Sequence, residues 1–539
     1  MAFFPLIATT FLSLTSAFSL PGIGLLHPHQ QQKRSPKVFG LDFTKQNVPH
    51  NPSAGLLSKR HSKRQAKAFS ADLTNAQIAY IINITIGTPP QQFAVQLDTG
   101  SADLWVASSD AEACQQTFDN PQGCSVTGGF DGERSKTAKL VDQGGFEIEY
   151  EDGSAVQGDY INDTVAIGAM QIKSQQLGIA LQTTRVLGIM GIGYSADESV
   201  SRGDSDKIYP NIIQSLKDQD MIAAPAYSLW LNDPDSANGS ILFGGVDTAK
   251  YTPPLTALDI QKGANGSYTD FTVALSSLTF TDASSKQALA KNNIDLPVIL
   301  DCGTTDTYLP DSIANDILAG VGAINTQELG LVVPCSYASS KAFFTFNFGG
   351  DGGPAIQVPM SEFVTPLLTL DGSTPKFPHG GGPACSFGLM SSGPASANTP
   401  ILLGDSFLRS AYVVYDLANN QIAMAQTKFN VSDSDVQEIP SGGKIPGVTA
   451  TATGVAVTQS YTGLPLQTNA ASKGAAGASV TGAAGSPTFD LGVGKATGTS
   501  GKKSAAGALE SPARGIMGMV CAMVVGMGML VGGGLLAVR

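Results

Sequence analysis

Two short segments of the chain repeat one arrangement of acidic, hydroxyl and glycine residues. VQLDTGSADLW occupies positions 95–105, and VILDCGTTDTY occupies positions 298–308. Each begins with apolar residues typical of a buried strand and continues into a tight loop with the pattern Asp-x-Gly-Ser/Thr. The repeat predicts two similar lobes, each with one aspartate, Asp98 or Asp301, at the end of a strand.

Two aspartates brought together where such lobes meet would form an acid–base pair. Two carboxylates at hydrogen-bond distance do not both ionise readily, so they share a proton and titrate at separate apparent pKa values. The ionised member can accept a proton from a bound water, which attacks an amide carbonyl, while the protonated member donates to the developing oxyanion. This chemistry requires neither a metal ion nor a cofactor.

The distribution of histidine excludes several other chemistries. The chain has five histidines, and only His379 lies beyond the first 64 residues. A Ser/His/Asp or Cys/His nucleophile system would have to use His379, and a zinc site with several histidines cannot be assembled. Charged residues make up 14 % of the chain and the net charge is −12, which disfavours a nucleic-acid surface.

The elements that must position the two aspartates are strands. Between residues 78 and 430, short β-branched and aromatic runs alternate with Gly, Asn-Gly, Asp-Gly and Pro, a pattern typical of an all-β protein. The best helix candidates are 208–219 and 310–321, and the second begins with Pro and Asp as start signals. The sequence therefore predicts an all-β fold with few helices.

A second repeated pair supports the division into lobes. VLGIMGIG (186–193) follows the first aspartate loop, and ILLGDSF (401–407) follows the second. We therefore predict a bilobal fold with a cleft between an N-terminal lobe over 65–252 and a C-terminal lobe over 253–431.

These motifs together resemble those of the pepsin-like aspartic endopeptidases. D-T-G-S-x-x-L-W stands at 98–105, a flap-like Y-E-D-G-S at 150–154, D-C-G-T-T at 301–305, and I-L-L-G-D-x-F-x-R at 401–409. The resemblance covers about residues 78–430, and two such loops with flap and glycine partners are highly specific. The basic leader and apolar tail make the layout most similar to the fungal yapsin-type surface proteases.

The resemblance implies roles for the matching residues of the two loops. Asp98 and Asp301 correspond to the catalytic pair, and Ser101 and Thr304 to the hydroxyls that orient the outer carboxylate oxygens. Gly188 and Gly404 correspond to glycines behind the pair. The other loop residues expected to support the pair are Thr99, Gly100, Cys302 and Gly303.

One of these residues departs from the family pattern. Cys302 stands where the family usually has Thr or Ser, whose hydroxyl binds the opposite lobe beneath the pair. A thiol is a weak donor and acceptor, so we expect a slightly looser pair that remains active. The alternative interpretation is a redox-sensitive thiol, which the expected burial of this position disfavours.

The flap residues carry the expectations about specificity. Tyr150 corresponds to the tyrosine over the cleft, with Trp105 as its packing partner. Asp152 matches a flap position where an acid lets some fungal members accept Lys or Arg before the scissile bond. The alternative interpretation is a solvated acidic turn. The full set of flap and substrate-binding candidates is Trp105, Tyr150, Glu151, Asp152, Gly153 and Ser154.

The N-terminal part of the chain has the composition of a processed leader. Residues 1–19 are predicted to be a signal peptide, and 20–64 a basic pro-peptide that a dibasic-processing protease removes after Arg64. Residues 1–64 hold eight Lys/Arg and one acid, whereas the remainder is strongly acidic. We expect charge attraction to hold this leader against the cleft at neutral pH, and acid to loosen it and help activation.

The C-terminal part is predicted to be a spacer followed by an anchor. Residues 432–504 are rich in Ser, Thr, Ala and Gly and resemble an O-glycosylated stalk that buries no core. Residues 505–539 are predicted to be a GPI-attachment signal, removed after Ser504, which places the chain on the outer plasma membrane or cell wall. A retained transmembrane helix over the apolar run 515–538 is the alternative.

Cysteine and glycosylation patterns fit a secreted monomer. Of the six cysteines, Cys114–Cys124 would close a short disulfide loop and Cys335–Cys385 a longer one. Cys521 would leave with the removed tail, and Cys302 is then left over. Candidate N-glycosylation sites occur at Asn83, Asn162, Asn238, Asn265 and Asn430.

The sequence thus favours a secreted, surface-anchored aspartic endopeptidase with an acidic pH optimum, acting on peptide or protein substrates. Two alternatives stay open. One is a catalytically weak or inactive pseudoprotease that uses its cleft for binding or adhesion, and Cys302 is the feature in its favour. The other is a mucin-like structural glycoprotein, which leaves the duplicated loops without a reason.

Overall fold

The computed structural model confirms the all-β prediction, with 48 % of the described residues in strands and 11 % in helices. The residues it describes are 37–50, 73–116, 123–149, 155–183, 185–202, 205–234, 236, 238–263, 266–369, 373–378, 380, 382–394, 399–452, 454–457 and 488–493.

The strands of the N-terminal half vary in length and are separated by the predicted turn residues. They are β1 (Phe39–His50), β2 (Leu73–Ile86), β3 (Gln91–Asp98), β4 (Leu104–Ala107), β5 (Lys139–Glu149), β6 (Ala155–Ile167), β7 (Met170–Thr183), β8 (Gly188–Gly191), β9 (Ala226–Trp230), β10 (Asn238–Phe243), β11 (Gly245–Asp247) and β12 (Tyr251–Asp259).

The C-terminal half continues in the same way. Its strands are β13 (Thr272–Thr281), β14 (Gln287–Leu300), β15 (Thr307–Leu309), β16 (Ile324–Thr326), β17 (Gly330–Pro334), β18 (Phe343–Phe348), β19 (Ala355–Pro359), β20 (Val364–Thr369), β21 (Ala384–Phe387), β22 (Leu389–Ser391), β23 (Leu402–Leu403), β24 (Ala411–Asp416), β25 (Gln421–Thr427), β26 (Val436–Glu438) and β27 (Val448–Thr451).

Helices in the described part are short. The three α-helices are α1 (Ile212–Asp218), α2 (Asp311–Val321) and α3 (Asp405–Leu408). Both predicted helices are found. The first begins later than predicted, because Asn211 caps it by accepting a hydrogen bond from Gln214 N at 3.1 Å. The second ends at Gly322, whose left-handed conformation (φ 69°) suits glycine.

Strands from both halves pair across the middle of the molecule. β9 runs antiparallel to β24, with Leu229 opposite Val413, and β12 runs antiparallel to β25. A seven-stranded sheet of β13–β15, β18, β19, β22 and β23 belongs to the C-terminal half. One hydrophobic cluster contains residues of both halves, including Leu97 and Leu300 at the ends of the two aspartate strands. The same core therefore holds both strands that position the aspartates.

β1 lies inside the segment predicted to be the pro-peptide. It pairs antiparallel with β10 through residues 39–44 and with β2 through residues 44–50. Phe43 is 1 % exposed and packs edge-on against Tyr80, with ring centroids 5.0 Å apart. This part of the leader is therefore an ordered strand, which its polar composition did not indicate.

The beginning of the predicted stalk also packs on the folded body. β26 pairs with β11, and β27 runs parallel to β12. Ile439 and Ile445 are 0 % and 4 % exposed and join a hydrophobic cluster. The prediction that 432–504 buries no core is therefore wrong for its first part, because a few isolated apolar residues suffice when a neighbouring sheet offers free edges.

No helix in the described part is long and apolar enough to cross a membrane. The predicted signal peptide, the cleavage site at Arg64, the attachment residue Ser504 and the apolar run 515–538 lie outside the described residues.

Candidate active site

The two predicted aspartates lie at the ends of equivalent strands. Asp98 is the last residue of β3, which runs parallel to β8 with Asp98 opposite Gly191. Asp301 follows β14, which runs parallel to β23, and its backbone N–H donates to Leu403 O at 3.1 Å. The side chains are almost fully buried, at 0 % and 2 % exposure.

The strand register corrects the prediction of which glycine lies behind the first aspartate. The resemblance placed Gly188 behind the first aspartate, but Gly188 lies opposite Val95, and Gly191 lies opposite Asp98. The motif has two glycines three residues apart, and the sequence alone does not fix the register. A Cβ on Gly404, in the second lobe, would lie 2.4 Å from Thr304 O, so no side chain fits there.

The glycines of the two loops bring the aspartates face to face. A Cβ on Gly303 would lie 2.2 Å from Asp98 Oδ1 and 3.1 Å from Asp301 Oδ1. A Cβ on Gly100 would lie 2.6 Å from Asp301 Oδ1. Each carboxylate therefore occupies the space that a side chain on the opposite loop would need.

Each loop holds its own carboxylate with the same two donors. In the first loop, Gly100 N donates to Asp98 Oδ1 at 2.8 Å and the Ser101 hydroxyl donates to Asp98 Oδ2. This geometry agrees with the orienting role that the resemblance assigned to Ser101. It leaves the inner edge of the carboxylate turned towards the opposite loop.

The second loop repeats this arrangement, and the pKa of its aspartate is raised by burial and by the neighbouring carboxylate. Gly303 N donates to Asp301 Oδ1 at 2.8 Å, and Thr304 Oγ1 donates to Asp301 Oδ2 at 2.6 Å. Burial raises the pKa of Asp301 well above its ordinary range, and the neighbouring charge of Asp98 raises it further. Asp301 therefore keeps a proton at a pH at which an exposed aspartate has lost it.

Cross-lobe hydrogen bonds lie beneath the pair and are unequal. Thr99 Oγ1 donates to Leu300 O at 3.0 Å and accepts from Cys302 N at 2.9 Å. The Cys302 thiol donates a long hydrogen bond to Leu97 O at 3.6 Å. The Thr99 hydroxyl thus both donates and accepts a hydrogen bond, whereas the Cys302 thiol bonds weakly. This difference is expected where a cysteine replaces the usual Thr or Ser.

This asymmetry predicts unequal costs of mutation. We expect Thr99→Val to lower the free energy of unfolding by about 1–3 kcal/mol, because Cys302 N and Leu300 O lose their partner while buried. Cys302→Ala should cost less, since it removes a weak bond and a small volume. Chemical denaturation of both variants tests the order, and an equal or larger loss for Cys302→Ala would contradict it.

The thiol of Cys302 is poorly placed for redox chemistry. It is 1 % exposed, and burial raises its pKa, with Asp405, Asp98 and Asp301 raising it further. The thiolate, which is the reactive form, is therefore disfavoured in the folded chain.

The flap tip, residues 150–154, lies outside the described residues, including Tyr150, Glu151, Asp152, Gly153 and Ser154. The strands on either side, β5 and β6, pair antiparallel, with Glu149 opposite Ala155. Trp105 is fully buried, and its ring centroid lies 6.4 Å from that of Phe146 on β5. Its contact with Tyr150 stays a prediction.

Each copy of the repeat carries a second aspartate, Asp103 in the first and Asp306 in the second. Asp103 accepts hydrogen bonds from Tyr160 OH, Tyr209 OH and Ser199 N, each at 2.7 Å. These bonds fix the end of the first loop. The repeat itself was the signal for this role, because the second aspartate recurs at the matching position of both copies.

Its counterpart in the second loop, Asp306, has a different environment. Burial raises the pKa of Asp306 to about 6, and the nearby Arg409 charge opposes that rise. Arg409 itself is paired with Glu362, Nε to Oε2 at 2.5 Å, with both side chains 3 % exposed. Nothing in the sequence around Glu362 indicated this buried ion pair.

The predicted disulfides are confirmed. Cys114–Cys124 and Cys335–Cys385 are bonded, with Cα atoms 4.5 and 4.9 Å apart, and Cys302 is free. No group of side chains in the described part could hold a metal ion.

Three of the candidate glycosylation sites have described side chains. Asn83 and Asn430 are exposed, and Asn162 is half-buried in β6. Asn265 and the side chain of Asn238 lie outside the described residues.

Comparisons with known proteins agree with this geometry. The profile of the family described as eukaryotic aspartyl protease matches residues 79–427. A probable aspartic-type endopeptidase, opsB, of Aspergillus fumigatus is 38 % identical over 413 residues, which cover 76 % of this chain and 80 % of the relative. Secreted aspartic protease 8 of Candida albicans is 36 % identical over 434 residues, covering 78 % and 96 %.

A solved structure shows the same fold. The aspartic proteinase from Irpex lacteus matches with a TM-score of 0.51 at 19 % identity, covering 74 % of this chain and 100 % of that chain.

Proposed function

The chain belongs to the family of eukaryotic aspartyl proteases, and on that basis we propose that Asp98 and Asp301 are the catalytic pair of an acid-active endopeptidase. The proposal rests on two buried carboxylates that face each other. Each accepts hydrogen bonds from its own loop, and each fills the space that a side chain on the opposite loop would need. One proton shared between them supplies an acid and a base at once.

The raised pKa of Asp301 supports a separate role for each aspartate in the proposed mechanism. With the shared proton placed on Asp301, Asp98 takes a proton from a water bound between them, and the water oxygen attacks the peptide carbonyl. Asp301 passes its proton to the carbonyl oxygen, which gives a tetrahedral diol. Return of that hydroxyl proton to Asp301 and transfer of the Asp98 proton to the nitrogen then break the C–N bond.

Preference for Lys or Arg before the cut is the proposed specificity. It rests on Asp152 and Glu151 at the flap, and on the paired strands β5 and β6 that flank this tip. The acidic surplus of the chain beyond the leader also attracts basic substrates.

The proposed life cycle is that of a secreted zymogen with a yapsin-type layout. Lys37 in the leader donates its backbone N–H to Glu438 Oε2 at 2.8 Å, and its Nζ lies 3.1 Å from Asp220 Oδ1. These contacts support an acid-sensitive attachment of the leader. Secretion is supported by the secreted Candida albicans relative. GPI anchoring at Ser504, at the membrane or cell wall, rests on the tail sequence.

A peptide library digested at pH 3–7 by the purified, processed chain tests activity and specificity together. We expect cleavage in acid that Asp98→Asn and pepstatin both abolish, with Lys or Arg enriched before the cut. Asp152→Asn should lose this enrichment, whereas Glu149→Gln, an exposed acid just before the flap, should keep it. A folded, leader-free chain that is inert throughout this range would overturn the proposal and favour the binding-only alternative.

A further inference from the structure

A short piece of the tail lies on the C-terminal lobe although it is distant in sequence. Residues 488–493 read TFDLGV, and their backbone bonds to two separate elements. Phe489 N donates to Gly320 O in α2 at 3.0 Å. Ala283 N, in the turn between β13 and β14, donates to Asp490 O at 2.8 Å. The segment is therefore held from both sides.

Its side chains fill an apolar groove. The ring of Phe489 stacks on Phe280, with centroids 4.7 Å apart and an interplanar angle of 26°. Leu491 is 4 % exposed, and its carbonyl accepts a hydrogen bond from Ser340 Oγ at 2.7 Å. Two apolar side chains in alternate positions, together with backbone bonds, are the features of a docked peptide.

The groove is shaped for this occupant. A Cβ on Gly320 would lie 2.2 Å from two atoms of the Phe489 ring, and its three nearest neighbours all belong to that ring. A Cβ on Gly492 would lie 2.6 Å from Ala283 Cβ. A glycine within a helix lowers helix stability, so Gly320 is explained by the aromatic ring that it admits.

We propose that this groove is a docking site for the chain's own tail, which fastens residues 488–493 to the C-terminal lobe. Residues 454–457 also lie on the body, where Val457 N donates to Gln261 Oε1 at 3.3 Å, so docking of residues 488–493 adds a second attachment point along the tail. The entropic cost of closure grows slowly with loop length, so docking within one chain remains favourable.

Docking shortens the reach of the tail. The distance from the body to residue 504 is limited to about 40 Å when residue 493 is fastened, and to about 170 Å when the tail is free from residue 458 onward. The catalytic lobes are thus held close to whatever is attached near the end of the tail.

Hydrogen exchange and thermal unfolding of the full chain test the proposal. We expect the amides of Phe489 and Ala283 to be protected in the wild type, and to lose protection by at least tenfold in Phe489→Ala. Tyr461→Ala, an aromatic-to-alanine change elsewhere in the tail, should leave both unchanged. Unprotected amides in the wild type would overturn the proposal.

The direction in which Gly320→Ala shifts the melting temperature gives a second test. We expect it to lower the melting temperature in the wild type, because the new methyl group collides with Phe489. In the Phe489→Ala background the same change should raise the melting temperature, because alanine is the better helix former. A rise in both backgrounds would show that Phe489 does not occupy the groove.

A peptide supplied separately distinguishes a site from a passive contact. The synthetic peptide TFDLGV should restore protection at Ala283 in the Phe489→Ala variant, and TADLGV should not. Failure of both peptides at millimolar concentration, with the wild-type amides protected, would limit the contact to a packing role and overturn the docking site.

Discussion

Replacing Asp301 by Asn is expected to lower kcat/KM for peptide hydrolysis on the order of 10⁴-fold or more. Asparagine keeps the shape of the side chain and accepts from Gly303 N, but it has no proton to share with Asp98. The comparison is a steady-state assay at the pH optimum of the wild type. A loss smaller than about tenfold would contradict the assignment of Asp301 to the acid.

The same variant should lose activity but gain stability at neutral pH. The folded pKa of Asp301 is raised, so its contribution to stability is fully present below the ordinary aspartate pKa and is lost as the pH rises through the folded value. Asp301→Asn removes this loss. Relative to the wild type we therefore expect the variant to gain about 1 kcal/mol or more at pH 7 and little at pH 3.

Denaturant unfolding at both pH values measures this difference. Asp433→Asn, an exposed aspartate in the segment after β25, is the matched control and should change stability equally at the two pH values. An Asp301→Asn variant whose difference from the wild type does not depend on pH would contradict the raised pKa.

Removing Arg409 is expected to cause the largest loss of stability, about 3–5 kcal/mol for Arg409→Met. Its guanidinium donates from Nε to Glu362 Oε2 and from Nη2 to Glu362 O, both at 2.5 Å, in an environment with 3 % exposure. Asp405 and Tyr80 also interact with its charge. Without Arg409 these buried groups lose the positive charge that interacts with them.

Two comparisons separate the loss of the ion pair from a general packing effect. The double variant Arg409→Met/Glu362→Leu should regain about 2 kcal/mol or more, because it removes the uncompensated carboxylate as well. Lys207→Met, in the exposed pair with Asp142, should cost less than about 1 kcal/mol. A double variant as unstable as Arg409→Met alone would contradict the electrostatic cause.

The fold class and the centre of the site could be predicted because both leave short-range patterns in the sequence. Strand runs and turn residues predicted the all-β fold, and the repeat identified Asp98 and Asp301 without any knowledge of their contacts. The helix over 311–321 was visible from its start signals and apolar spacing.

The parts that were missed depend on partners distant in the chain. β1 is a strand because β10 and β2 offer it free edges, and nothing in its composition reveals those edges. Residues 488–493 look like spacer until the groove at Gly320 is known. Glu362 is one acid among many until it is seen against Arg409, 47 residues away. The register error at Gly188 has the same origin.

The shared space between Gly100 and Gly303 also restricts how the two copies of the repeat can diverge. The room beside each glycine is filled by the aspartate of the other lobe, and each loop is bonded from below by the other lobe's threonine or cysteine. Whether a substitution in one copy is tolerated therefore depends on the atoms of the other copy that lie beside it. Most positions of the two copies can therefore change independently, whereas the residues of the two loops around Gly100 and Gly303 must change together.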